Sequence, residues 1–113
     1  MRPVYTIDVA HPPRHPDRVE EELLQAWSHV RNSSTLRVLK IVHGYGSHRA
    51  GGSTRERVRN WVFQNRLKFR NTIDGEHYTL HDAATAELRK ELGAYEDTDL
   101  GNTNPGIVIV WVK

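Results

Sequence analysis

The spacing of apolar residues changes several times along this chain, and each change marks an element. Val4-Tyr5-Thr6-Ile7-Asp8-Val9 is short and β-branched, which predicts a strand. His11-Pro12-Pro13-Arg14-His15-Pro16 predicts an extended loop, because proline fixes its own φ and biases its predecessor away from helix. Asp17 and Glu20 then stand at capping-box spacing. Val19, Leu23, Ala26, Trp27 and Val30 follow at helical period, so a first helix is expected, ended by Arg31-Asn32-Ser33-Ser34. Residues 36–42 are almost continuously apolar and predict an interior strand covered on both faces. Ser53 and Glu56 repeat the capping spacing ahead of Val58, Trp61 and Val62, the buried stripe of a second helix. Strand and helix in this alternation imply parallel strands joined by crossovers.

The second half reads differently. Residues 67–73 and 77–80 flank Asp74-Gly75, a hairpin signal. Residues 82–92 predict a third helix, stopped at Gly93, and residues 94–104 are acidic and rich in turn formers. Residues 106–112 (Gly-Ile-Val-Ile-Val-Trp-Val) make the strongest strand of the chain.

At 113 residues the chain is the size of one domain, expected to span 1–113. It holds no cysteine, which excludes a disulfide framework and a thiolate zinc site. No apolar run approaches membrane-span length and no signal-peptide stretch is present, so a soluble cytoplasmic setting is expected. The net charge of +2 hides a strong asymmetry. Residues 37–70 carry nine Lys or Arg against the single acid Glu56, whereas residues 71–113 carry three bases against eight acids. A basic middle of this kind is either a solvated helix surface or a face for a polyanion.

If the first two strands are parallel neighbours, Asp8 and His43 both fall at C-terminal strand ends, the edge where open α/β sheets bind ligands. Asp8 there either caps a turn or enters a site, and His43 either bonds to backbone or faces a ligand. Gly44 and Gly46 permit close backbone approach, and the second helix offers free N–H groups to a phosphate. Arg55 and Arg59, one turn apart, share a face, and His48 and Arg49 precede them in the loop. Tyr45, between two glycines, is expected to be exposed, where it stacks on a base or covers the loop. Trp27 and Trp61 are expected in the core. His11 and His15 lie in the proline loop with no shared helical face, so no metal site or cofactor is indicated.

His43-Gly44-Tyr45-Gly46, followed by Thr54-Arg55-Glu56-Arg57-Val58-Arg59-Asn60-Trp61-Val62, resembles the His-Gly-x-Gly loop and second helix of Smr (small MutS-related) domains. Residues 106–113 are similar to their closing strand, and Ile7-Asp8 to the start of their Leu-Asp-x-His-Gly motif. The resemblance covers residues 4–62 and 105–113, leaving 67–104 as a subfamily insertion. It implies a two-layer α/β sandwich with a mixed four-stranded or slightly larger sheet and two or three helices, similar to the C-terminal domain of a translation initiation factor. It also implies DNA or RNA binding and, in some members, endonuclease activity. Asp8, His43, Gly44 and Gly46 match the motif positions; His11 comes one residue late and Pro12 replaces the glycine.

The expectation is therefore a nucleic-acid-binding Smr-like domain and a candidate endonuclease for DNA or RNA phosphodiesters. The expected catalytic group is Asp8, His43 and His11, with His43 as base and His11 contributing less. Gly44, Tyr45, Gly46, His48, Arg49, Arg55 and Arg59 are expected to hold the nucleic acid. A non-catalytic nucleic-acid or protein-binding module and an enzyme for a phosphorylated small molecule are the alternatives.

Overall fold

The computed structural model describes residues 2–46 and 53–113. The strands are β1 (Val4–Asp8), β2 (Val38–Val42), β3 (Asn71–Asp74) and β4 (Ile107–Trp111); the helices are α1 (Pro16–Asn32), α2 (Thr54–Gln64) and α3 (Ala83–Leu92). The sheet order is β1-β2-β4-β3. β1 and β2 pair in parallel, Val4 opposite Val38 through Asp8 opposite Val42, and β4 is antiparallel to both β2 and β3. β1, β2 and β3 therefore run in one direction, and their C-terminal ends share one edge of the sheet.

Strand alternation divides the apolar side chains between two faces. On one face, Leu39 and Ile41 of β2 and Val108 and Val110 of β4 pack against Val19, Leu23, Ala26 and Val30 of α1 and Val58 and Val62 of α2. This is the expected two-layer α/β sandwich, a mixed four-stranded sheet under its crossover helices. On the other face, Val38, Ile73, Ile107, Ile109 and Trp111 pack against Tyr78, Leu88 of α3 and Tyr95. β4 is thus buried on both faces, as its unbroken apolar run requires. Residues 67–104 supply an edge strand and the cover of the second face. Trp27 and Trp61 lie at the margin of the first core rather than within it. Lys68 Nζ stands 5.6 Å over the Trp27 ring, and the Trp61 ring is 5.9 Å from that of Phe69.

Three local expectations change. The first helix is capped by His15, whose Nδ1 accepts from Asp17 N–H at 3.2 Å, and not by Asp17. Pro16 takes the first helical position, where its fixed φ suits and its missing N–H costs nothing. The hairpin at Asp74-Gly75 does not form. β3 pairs instead with β4, a strand that both cores cover, while the chain turns away through a 3-10 turn at Gly75–His77. Gly75 is needed there because a Cβ would stand 1.8 Å from the Asn104 carbonyl oxygen. The third change is Lys40, read within an apolar strand but directed at the second face. It is buried and bonded to Asp97 at 2.8 Å and to Asp99. Burial opposes its charge, yet the two carboxylates outweigh burial and raise its pKa. Ser53 caps α2 as its spacing predicts; Asp82, expected as the first residue of the third helix, is its cap, and Gly93 ends α3 with φ +77°.

Candidate functional site

The parallel strands deliver three loops to one edge, each with a polar group. After β1 the chain folds back over the Asp8 carboxylate. Asp8 Oδ1 accepts from the N–H groups of Ala10 and His11 at 2.9 and 3.0 Å, and Oδ2 lies 3.0 Å from His11 Nδ1. Burial favours the neutral acid, but these donors outweigh it and hold the Asp8 carboxyl below its ordinary value. An ionised carboxylate can only accept, so Nδ1 of His11 is assigned a proton; in the neutral ring Nε2 is then the acceptor. Both groups are open to solvent, with side chains 40% and 70% exposed. The later position of His11 is what this turn uses: three residues on, the ring comes back to the carboxylate.

After β2 comes His43, which the fold places inside rather than at the surface of the edge. His43 is buried, 1% exposed. Its Nδ1 bonds to the Gly44 carbonyl at 2.8 Å, and its Nε2 accepts from Arg59 Nε at 3.3 Å. Burial lowers its pKa; the Gly44 bond opposes this, and the charges of Arg59 and Arg55 lower it further. His43 is therefore a neutral imidazole with both nitrogens engaged, placed to orient Arg59 rather than to meet a substrate. The structure thus buries the histidine expected to act as base and leaves His11 exposed beside Asp8.

Gly44 and Gly46 adopt φ of +80° and +88°, where a side chain is strained. Between them Tyr45 turns outward, 77% exposed. The N–H groups of His43 and Gly44 donate to the Gly106 carbonyl at 2.9 and 3.1 Å, fixing this turn to the start of β4. A Cβ on Gly44 would stand 3.6 Å from that of Ala10, so the glycine turn and the Asp8–His11 turn are in contact. His48 and Arg49 lie outside the described residues.

After β3 comes the group that sequence reading missed. Glu76 accepts from Arg59 Nη1 and Nη2 at 3.0 and 2.6 Å and from Arg55 Nη2 at 3.1 Å. The Arg59 bonds, working against partial burial, hold its pKa at about 2. Asp74 lies 3.8 Å from Arg59. The acid that meets these arginines is not Glu56, the single acid of residues 37–70, but Glu76, some twenty residues further along. The signal was present as a surplus of acid in residues 71–113, which also supplies Asp97 and Asp99 to Lys40 and Glu91 to Arg70.

The edge thus presents an exposed aromatic ring, a carboxylate–imidazole pair whose Nε2 meets no partner among the described residues, and two guanidiniums engaged by an internal carboxylate. Among the described residues no cluster of three or more His, Cys, Asp or Glu could hold a metal ion, and no helix is long and apolar enough to cross a membrane. Comparison with family models, with curated proteins and with solved structures finds no match for this chain.

Proposed function

We propose that this chain is an Smr-like nucleic-acid-binding domain whose sheet edge receives a single strand and cuts its phosphodiester backbone. The observation that carries the reading is the solvent-open Asp8–His11 pair in contact with the glycine turn that displays Tyr45. The exposed tyrosine supplies a stacking surface for one base. Arg55 and Arg59 supply donors for a phosphate oxygen. His11, oriented by Asp8, takes a proton from the nucleophile, a water or a ribose 2′-hydroxyl. The nucleophile's oxygen bonds to phosphorus, the bond from phosphorus to the leaving oxygen breaks, and solvent protonates that oxygen.

The test is incubation of the protein with labelled single-stranded RNA, duplex DNA and branched DNA, read for both gel shift and cleavage. His11→Ala should lower cleavage about 100-fold or more, the usual scale of a lost general base, and leave binding intact. His43→Gln should weaken binding by releasing Arg59, with the rate at saturation changed less. Binding without cleavage on every substrate would reduce the protein to a binding module. Binding to none of them would refute the reading.

A further inference from the structure

Glu76 stands where a phosphate would have to bind. A carboxylate gripped by both terminal nitrogens of Arg59, with Arg55 on one of its oxygens, has the planar two-point geometry that guanidiniums also offer phosphate. The two cations best placed to meet a nucleic-acid backbone are therefore already engaged by a carboxylate of the chain itself.

The parts around this contact differ in their freedom. The backbone beneath Glu76 is pinned: the Gly75 carbonyl accepts from Asn104 N–H and Tyr78 N–H at 3.0 and 3.3 Å. Gly75 itself is wedged against Asn104 and Ile107. Arg59 is held from behind, its Nε on His43 and its Nη2 near the Pro105 and Ile107 carbonyls at 3.4 and 3.5 Å. The Glu76 side chain is 36% exposed, against 20% for Arg59, so rotation of the carboxylate leads into water. The arginine can stay while the glutamate leaves.

We propose that Glu76 is a built-in competitor for the Arg55–Arg59 anion site. A ligand phosphate binds by exchanging with the Glu76 carboxylate, which turns out to solvent without movement of the backbone. Glu76 thereby sets the affinity of the edge and favours ligands that bring further contacts, such as a base on Tyr45, over isolated anions. This deepens the nucleic-acid reading and rests on it for the identity of the ligand, but the exchange itself concerns any phosphate.

The experiment is an NMR titration with inorganic phosphate of the wild type, Glu76→Gln and the double variant Arg59→Ala with Glu76→Gln. Glu76→Gln should bind phosphate about tenfold more tightly than the wild type, and the double variant should lose that gain. In the wild type, the Glu76 side-chain carboxyl carbon should move toward the shift of a solvated carboxylate as phosphate saturates. Equal affinity in wild type and Glu76→Gln, or a gain that survives removal of Arg59, would overturn the proposal. Should the variants fold poorly, the wild-type carbon decides alone: phosphate bound at Arg59 with that carbon unmoved would overturn it. A parallel titration with single-stranded RNA separates the two readings. A gain for phosphate in a protein that ignores RNA upholds the exchange and refutes the nucleic-acid role. RNA binding with no gain in Glu76→Gln does the reverse.

Discussion

Glu76→Gln also makes a quantitative test of the ion pair through stability. Glutamine keeps the shape and one acceptor oxygen but cannot ionise. In the folded chain the Glu76 pKa falls from 4.5 to about 2, with its bonds to Arg59 as the largest cause. At about 1.4 kcal/mol per pH unit, the upper bound on the stabilisation is roughly 3 kcal/mol. The side chain is 36% exposed, so solvent screening brings the expected loss to about 1–2 kcal/mol at neutral pH. The sign follows from linkage. A carboxyl whose folded pKa is depressed stabilises fully above its unfolded value, and the contribution drains away as pH falls through the folded one. The variant should therefore be less stable than the wild type at pH 7, and the difference should shrink from about pH 4.5 downward and vanish near pH 2. Urea unfolding of both proteins at a series of pH values measures this directly. Asp8 and Asp99, also held below their ordinary values, titrate in both proteins and cancel in the difference. A constant offset at every pH would assign the loss to packing, and no offset at pH 7 would remove the ion pair from the stability of the fold.

Three further predictions test other parts of the structure. Tyr45→Ala should weaken single-stranded RNA binding by about 1–3 kcal/mol with Tm nearly unchanged, since the ring is exposed; undiminished affinity in a fluorescence anisotropy titration would take Tyr45 off the binding surface. Lys40→Met should cost about 3–5 kcal/mol by stranding the Asp97 and Asp99 carboxylates, and adding Asp97→Asn and Asp99→Asn should restore most of it. A mild loss for the single variant in urea unfolding would contradict that triad. Gly46→Val should cost roughly 1–3 kcal/mol from its φ of +88° and should push on the Arg55 stem, which a Cβ would approach at 3.3 Å. A variant as stable as the wild type and equally good at binding would sink the role given to the turn.

The fold was legible wherever local pattern and tertiary need agreed. The apolar stripes of α1 and α2 fix which helix face meets the sheet, and the nearly unbroken apolar runs of β2 and β4 mark them as interior strands. Parallel pairing of β1 with β2 then follows from the helix between them, and with it the gathering of Asp8, His43, Gly44 and Gly46 at one edge. What pattern could not convey was pairing at a distance. Asp74-Gly75 carries a hairpin signal in its two residues, but β4 is the better partner for β3 and lies more than thirty residues on. The same limit hid the settings of the two histidines. His43 sits beside glycines and looks accessible in sequence, yet the carbonyl of Gly106 and the side chain of Arg59 close over it. His11 looks displaced in sequence, yet an Asx-type turn restores it to Asp8.

The basic block shows how far a charge count can stand from a surface potential. Residues 37–70 hold an excess of eight positive charges, and a run of that density reads as a polyanion face. In the folded chain Lys40 is sealed between two aspartates, and Arg55 and Arg59 share Glu76. Arg70 lies over Trp111, 4.1 Å from the ring centroid, with Glu91 nearby. Lys40, Arg55, Arg59 and Arg70 of the basic middle thus find carboxylate partners in the acidic final third, across the second face and the site edge. At the site edge, where Arg55 and Arg59 already share Glu76, a polyanion gains less from charge alone than the count suggests. On the proposed function, Tyr45 offers a ring to a base, His11 a nitrogen to a proton, and Arg59 a fork to a phosphate that displaces Glu76. Such an edge suits a ligand that satisfies all three at once, and an isolated anion meets only the last.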